Sequence, residues 1–147
     1  MALPTALYNY TFEQVSASWG EIILGGYGRG EGLSLVPQAD DWALIVGNRG
    51  DGVRSKIQNY AYTITATLHQ GTPVNDLLAA ARQLDLINGQ GARPLLVQDK
   101  SGRTVFRAER CYIKRVPDVT FNDEASTRQW IFETHNGTMF VGGNGLA

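Results

Sequence analysis

The chain of 147 residues has little of several things that mark whole classes of protein. A single cysteine excludes an intramolecular disulfide framework. Charged residues make up only 18%, and 13 basic residues face 14 acidic ones, so the basic footprint of a nucleic-acid-binding protein is missing. No apolar run approaches the roughly 18 residues of a membrane span. The first residues also lack the basic stretch that opens a secretion signal. We therefore expect neither a membrane partner nor an export signal.

Glycine, by contrast, is abundant. The chain has 17 glycines in 147 residues, well above the usual share of about 7%. Low charge with abundant glycine fits a protein covered largely by copies of itself, and it also fits a loop-rich β domain. The length favours one domain over residues 1–147, with a buried core.

Most of the sequence predicts strands. The clearest one covers residues 60–68, where apolar and threonine positions alternate over nine residues. A short apolar strand at 42–46 precedes it, and the polar, glycine-rich residues 47–58 are predicted to form a long loop between the two. Further strands, for a total of seven or eight, are predicted at 11–19, 21–24, 94–98, 103–116, 128–134 and 138–141.

One helix is predicted, over residues 73–88. Thr72 is the candidate N-cap, Pro73 takes the first helical position, and Gly89 ends the helix. Its predicted buried stripe consists of Val74, Leu77, Leu78, Ala81 and Leu84. Because helices do not separate the strands, we predict a mainly β fold with one helix: an antiparallel β-barrel or sandwich flanked by a single α-helix.

The glycine-rich segment 25–32 does not predict a nucleotide site. A dinucleotide fingerprint needs Gly-x-Gly-x-x-Gly at the start of a helix. Here Gly26, Gly28, Gly30 and Gly32 recur every two residues, and a strand-like stretch follows them. We interpret the segment as a mobile loop.

No assembled catalytic or metal site is evident in the sequence. His69 and His135 lack the spacing of metal ligands and are expected at the surface. Cys111 is expected to be a small core residue. Asp40 and Asp41 are adjacent, so on a strand they point to opposite faces and cannot act as a carboxylate pair. We expect no enzyme, no cofactor and no metal.

A basic stretch at residues 107–115 has two interpretations. Phe106 and Tyr112 fall on one alternation with Arg110 and Lys114, as an exposed nucleic-acid surface requires. The alternative is that the basic side chains pair with acidic residues of a neighbouring strand or subunit. The near-zero net charge favours this alternative.

The three tryptophans leave a binding function open. Exposed Trp19, Trp42 or Trp130 would stack on sugars, as in a monomeric carbohydrate-binding β-sandwich. Core packing is the favoured role for each of them, because tryptophan is highly buried on average.

Three segments carry a resemblance to a known family. Residues 72–78, 111–121 and 130–132 resemble the tail tube proteins of contractile-tailed bacteriophages, and Glu31-Gly32 and residues 47–52 fit the same pattern. The likeness runs over residues 10–143 in the same order. Residues 1–8 and 25–32 depart from the pattern.

The resemblance implies a structural protein that catalyses nothing. Such proteins form hexameric rings that stack into a hollow tube inside the sheath, through which the genome passes. It implies as partners the chain itself, the sheath protein and, transiently, DNA, and as location the virion tail, assembled in the host bacterial cytoplasm. It also implies that the 47–58 loop reaches the adjacent ring, with Arg49, Asp51, Arg54 and Lys56 as inter-ring contacts. Residues 1–9, most of which depart from the pattern, are expected to form an N-terminal extension.

Two further expectations follow from this resemblance. A near-neutral chain with three lysines suits a conduit that does not hold DNA, because each neutralised phosphate adds to affinity. The tube of a tailocin or of a secretion-type contractile particle fits the sequence as well as a phage tail does.

Overall fold

A computed structural model describes residues 5–30 and 32–147. A single 3-10 turn, Phe12–Gln14, precedes the first strand. The strands are β1 (Val15–Trp19), β2 (Ile22–Leu24), β3 (Leu33–Pro37), β4 (Trp42–Val46), β5 (Gly52–Lys56), β6 (Tyr62–His69), β7 (Arg93–Asp99), β8 (Val105–Arg115), β9 (Thr127–Thr134) and β10 (Gly137–Phe140), and the helix is α1 (Val74–Asn88).

Eight of the strands form one antiparallel sheet. Its order is β2-β1-β7-β8-β9-β6-β3, with β10 paired to the first half of β8. After β2 the chain runs along β6 before it enters β3, with Tyr27 bridged to Leu68 and the Gly28 N–H donating to the Thr67 carbonyl at 3.0 Å. The chain thus passes directly from one edge strand of the sheet to the other, and the described residues leave the sheet open between them.

The core lies on the inner face of this sheet. On β6, Ile64, Ala66 and Leu68 alternate inward and are fully buried. Trp19 of β1 meets Phe132 of β9 edge to face, with ring centroids 5.4 Å apart. The predicted fold class, mainly β with one helix and antiparallel pairing, is confirmed.

Helix α1 covers part of the core and begins one residue later than expected. It starts at Val74, and Pro73 occupies the N-cap position without any side-chain cap, so the predicted cap Thr72 was wrong. Thr72 is instead buried and lies where a side chain on Gly26 would be. Gly89 ends the helix as predicted, with φ of 69° and its N–H donating to the carbonyl of Asp85.

The predicted apolar stripe of α1 is only partly buried. Leu78 and Ala81 are buried against the sheet, and Val74 packs at the core edge. Leu77 and Leu84 are more than half exposed, contrary to prediction. The helix therefore presents a second apolar face to solvent. No helix of the described residues has the length and hydropathy to cross a membrane.

A bulge interrupts the alternation of β8. Arg93 pairs with Cys111 and Leu95 with Ala108, so one residue of β7, Pro94, faces two residues of β8. Proline has no N–H to give the ladder, which fits an irregularity at that point. The buried residues of β8 are therefore spaced two, three and two apart: Phe106, Ala108, Cys111 and Ile113.

The remaining predicted strands occur at shifted boundaries. Residues 5–30 and 32–147 contain ten strands, two or three more than expected. Strand β5 lies in the segment predicted as a loop, and β3 is the stretch that was described as strand-like but not counted as a strand. Of the N-terminal extension 1–9, residues 1–4 lie outside the described part. Tyr8 bridges to Leu146, and the Ala147 N–H donates to the Leu7 carbonyl at 2.8 Å, so this segment is paired with the C-terminal one.

Candidate assembly surface

The segment predicted as a loop at 47–58 is one half of a β-hairpin. Strand β5 pairs antiparallel with β4 from Trp42–Lys56 to Val46–Gly52, which corrects the loop prediction. The turn is tight: the Gly47 N–H donates to the Asp51 carbonyl at 2.7 Å. Gly50 has φ of +88°, a conformation in which side chains are strained. These contacts explain why a glycine-rich sequence forms an ordered turn here.

Alternation gives the hairpin two different faces. One face carries Trp42, Leu44 and Val46 from β4, with Arg54 and Lys56 opposite them on β5. The Arg54 guanidinium lies over the Trp42 ring, 3.9 Å from its centroid. This face is apolar along one strand and cationic along the other.

The opposite face of the hairpin has four side chains, and none of them is charged. It consists of Ala43 and Ile45 on β4, paired with Ser55 and Val53 on β5. Ile45 is 71% exposed and Val53 67% exposed. Apolar side chains therefore project from both sides of the hairpin.

All ten residues of β4 and β5 are exposed, and the pair forms a sheet of its own. Monomeric proteins rarely leave a contiguous apolar patch uncovered, and such patches mark interaction sites. An isolated two-stranded hairpin is also at best marginally stable in water. The hairpin is therefore the candidate functional surface of the chain.

The structure brings together the four residues predicted for inter-ring contact. Arg54 and Lys56 share one face of the hairpin, whereas Arg49 and Asp51 lie at its turn. From Trp42 to Lys56 there are three basic residues and one acidic residue, which gives a net charge of +2. The hairpin itself therefore carries a net positive charge, while Asp40 and Asp41 are exposed just before its first strand.

The candidate chemical residues do not converge. His69 and His135 are exposed, as predicted, and the His69 Nδ1 accepts the Gly71 N–H. Asp40 and Asp41 are exposed at the start of β4. Across residues 5–30 and 32–147, no three His, Cys, Asp or Glu side chains group as metal ligands. Cys111 is fully buried as predicted, and burial raises the pKa of its thiol to about 12.

Two basic side chains of strand β8, Lys114 and Arg115, are paired with acidic side chains. Phe106 is fully buried and does not share a face with Tyr112, because the bulge changes the alternation between them, so that prediction was wrong. On β9, Glu133 accepts the Tyr112 hydroxyl at 2.7 Å and lies 3.0 Å from the Lys114 Nζ. The favoured interpretation, pairing with an acid on a neighbouring strand, is confirmed for Lys114.

This cluster shifts the pKa of both hydrogen-bonded groups. The hydroxyl of Tyr112 and the ammonium of Lys114 stabilise the carboxylate and lower the pKa of Glu133. The same hydrogen bond, assisted by burial, raises the pKa of Tyr112 to about 12. The Gln38 side chain is a third donor to the Glu133 carboxylate, at 3.0 Å. The cluster therefore links β8 and β9 to the residue that follows β3.

The tryptophans divide into two kinds. Trp19 and Trp130 are core residues, as favoured. The Trp19 Nε1 donates to the Cys111 carbonyl and the Trp130 Nε1 to the Asn75 Oδ1. Trp42 is 45% exposed, so the core role favoured for it was wrong. Only one of the three is available for an external partner, and Arg54 covers part of its ring.

The glycine-rich segment is bonded to the sheet over its described part. Gly26 and Gly32 accept backbone N–H groups from His69 and Thr67, so the segment is an edge of the fold rather than the free loop expected. Glu31, part of the resemblance, lies outside the described residues. A strand follows the segment, which agrees with the exclusion of a nucleotide loop.

The sequence did not reveal that four apolar residues of the candidate surface are exposed: Leu44, Ile45, Val46 and Val53. Their signal was present as the apolar run at 42–46 followed by a dense turn. The partner strand was hidden because Gly52, Ser55 and two basic residues give it no recognisable alternation.

No protein-family model matches this chain. By sequence it is similar to structural protein ORF10 of Pseudomonas phage KPP10, with 30% identity over 108 residues. The match covers 72% of this chain and 57% of that relative, so the chain spans little more than half of the relative's length.

Solved structures share the fold at low identity. A chain of the anti-feeding prophage tube-terminating cap has a TM-score of 0.60 and 12% identity, with 95% of both chains covered. A chain of the sheath/tube terminator of the extracellular contractile injection system PVC, in the extended state, has a TM-score of 0.60 and 11% identity, covering 91% of this chain and 98% of that one.

A third likeness comes from a tube assembly. A chain of the PVC sheath-tube complex in the extended state has a TM-score of 0.60 and 10% identity, covering 90% of this chain and 92% of that one. The protein is thus similar in sequence to a phage structural protein and has the fold of components of contractile injection systems. This agrees with the broad class implied by the resemblance to contractile phage tails.

Proposed function

We propose that this protein is a non-enzymatic tail tube protomer that assembles into hexameric rings, which stack into a conduit inside a contractile sheath. In this function the genome passes through the lumen without being held, and the protein works in the virion tail after assembly in the host cytoplasm. The observation that carries the proposal is the β4–β5 hairpin, whose ten residues are exposed and apolar on both faces.

Assembly gives the hairpin the burial that the single chain cannot. Removing apolar surface from water contributes about 25 cal/mol per Å². Leu44, Ile45 and Val53 are each about two-thirds exposed in the monomer, so most of their surface is available for this gain. The relative and the structural neighbours support such a role, since their names place them among structural and tube-associated proteins.

The charge of the chain suits transient contact with DNA. A strongly basic wall would retain the duplex, because affinity rises with each neutralised phosphate. The chain has a net charge of −1, and Lys114 of the basic strand is already paired with Glu133. These features favour passage over retention.

Electron microscopy of the purified protein and of virions tests this function. We expect stacked six-fold rings with a central pore wide enough for duplex DNA. Monomers that persist at high concentration, together with absence of the protein from virions, would rule the proposal out.

The four hairpin charges provide a second test. Replacing Arg49 and Arg54 with glutamate is expected to block stacking while circular dichroism and melting temperature stay close to those of the wild type. Normal tube length in this double variant would remove the inter-ring role from these residues. Arg29→Glu with Arg107→Glu makes the same change of charge at exposed sites outside the hairpin, so it is the matched control and is expected to leave stacking intact.

A tube-terminating ring is the second candidate. It is favoured by two of the structural neighbours, which come from a tube-terminating cap and a sheath/tube terminator. A terminator forms one ring and does not propagate. Single rings at all protein concentrations, located at one tail end by labelling in virions, would support this candidate over the tube protomer.

A further inference from the structure

The segment between β8 and β9, residues 116–126, is a second exposed apolar surface. Val116, Val119 and Phe121 all project into solvent, and Phe121 is 83% exposed. The segment also carries Asp118, Asp123 and Glu124 without any Lys or Arg, which gives it a net charge of −3. It combines apolar and acidic side chains, where the hairpin combines apolar and basic ones.

This segment is held at both ends. Pro117 is buried near one end, and the Arg115 guanidinium binds Asp118 at 2.8 Å. At the other end the Ser126 N–H donates to the Gln70 side chain, and the Gln70 N–H donates to the Ser126 carbonyl, both at 3.1 Å. Between these anchors, residues 121–126 line an open depression of about 670 Å³. The segment is therefore fixed at both ends and exposed between them.

We propose that the β4–β5 hairpin of one copy docks on the 116–126 segment of the next copy. The inference rests on the proposed self-assembly and names the surface that receives the hairpin. Its basis is complementarity between a charge of +2 on residues 42–56 and one of −3 on residues 116–126. Because Arg115 already pairs with Asp118, the carboxylates that face the hairpin are those of Asp123 and Glu124. Apolar side chains are exposed on both surfaces. Because the two surfaces differ, each copy offers its hairpin to one neighbour and its 116–126 segment to another, an arrangement that propagates into a ring or a stack.

Helix α1 is the competing receptor and fits less well. It exposes Leu77, Leu84 and Ile87. Its charges are Asp76 and Asp85 against Arg82, a net of −1. The Asp85 carboxylate also already accepts the Gly91 N–H at 2.9 Å. A basic hairpin therefore gains less here than on residues 116–126.

Charge reversal tests the pairing. We expect Arg49→Glu with Arg54→Glu, and separately Asp123→Lys with Glu124→Lys, each to raise the concentration needed for assembly by about tenfold or more, because like charges then face each other. The four changes combined are expected to restore assembly. Glu13→Lys with Glu21→Lys is the control of equal charge change at other exposed sites, and it should assemble as the wild type does.

Disulfide cross-linking tests the geometry. Oxidised Arg54→Cys/Glu124→Cys protein is expected to give a ladder of linked oligomers, whereas each single variant does not. The native Cys111 is buried and stays outside the reaction. The matched comparison is Arg54→Cys/Asp76→Cys, which places the second thiol on α1 and should give no ladder.

The outcomes separate this inference from the function it rests on. Two results overturn the docking and leave the proposed function standing. In the first, the wild type assembles but the variant with all four charge reversals does not. In the second, only the Arg54→Cys/Asp76→Cys protein gives a ladder. A wild-type protein that never assembles overturns both.

Discussion

Two antiparallel strand pairs in this chain have opposite surroundings. The β6–β9 pair lies in the middle of the large sheet, and Ile64, Ala66 and Phe132 on its inner face are fully buried or nearly so. The β4–β5 pair has five exposed large apolar residues and makes a sheet alone. Both pairs form antiparallel ladders, but only the β6–β9 pair has neighbouring strands and a core against which its apolar side chains pack. The difference teaches that strand pairing alone does not bring burial. The first pair packs into the core, and the second leaves its apolar side chains exposed.

Matched isoleucine truncations are expected to show the largest contrast. Ile64→Ala removes a fully buried side chain from β6 and should lower the free energy of unfolding by about 2–5 kcal/mol, from lost transfer energy and the remaining cavity. Ile45→Ala truncates the same type of side chain on the hairpin, where Ile45 is 71% exposed. This change should alter the free energy of unfolding by no more than about 0.5 kcal/mol. Urea denaturation of the monomer measures both values. Equal losses would show that the hairpin is already buried in the monomer.

Glycine substitutions give the next contrast. A Cβ on Gly137 would lie 2.7 Å from Tyr62 Cδ1 and 2.8 Å from Phe106 Cε2, so Gly137→Ala should overpack the core and cost about 1–3 kcal/mol. A Cβ on Gly47, at the hairpin turn, would approach no atom closer than 3.7 Å. Gly47→Ala is therefore expected to leave the melting temperature nearly unchanged. A similar loss in both variants would contradict the difference in packing between body and hairpin.

The smallest expected contrast between a variant and its control depends on pH. The pKa of Glu133 is lowered in the folded protein. Its stabilising contribution is therefore present above the ordinary value of 4.5 and is lost as the pH falls through the lowered pKa. We expect Glu133→Gln to lower the free energy of unfolding by about 1 kcal/mol at pH 7, a modest loss because the cluster is partly solvated. At a pH low enough to protonate Glu133 in the wild type, the two proteins should be equally stable. Glu109→Gln, on exposed β8 surface, is the control, and a pH-independent loss in Glu133→Gln would contradict the linkage.

The sequence predicted the fold class and most of the strands because their signal is local. Alternation at residues 60–68 and the paired signals of Pro73 and Gly89 act within a few residues, and the elements lie within one or two residues of expectation. The bulge opposite Pro94 could not be located, since it depends on which strands become neighbours. It is the reason that Phe106 and Tyr112 were placed on one face.

The contact role of Arg49, Asp51, Arg54 and Lys56 was implied by the resemblance and stays a prediction, and the structure places the four residues on one hairpin. The apolar side chains beside them were predicted only as a short strand. Their exposure could not be predicted, because it depends on tertiary surroundings. The exposure of Leu77 and Leu84 of α1 was missed for the same reason.

Amide hydrogen exchange before and after assembly tests most directly whether the hairpin is an assembly surface. We expect the amides of β4 and β5 to exchange quickly in the monomer and to become strongly protected in the assembled form. The amides of β6 and β9 should be protected in both states, since they lie inside the sheet. Hairpin amides that still exchange as fast after assembly as in the monomer would contradict the proposed role.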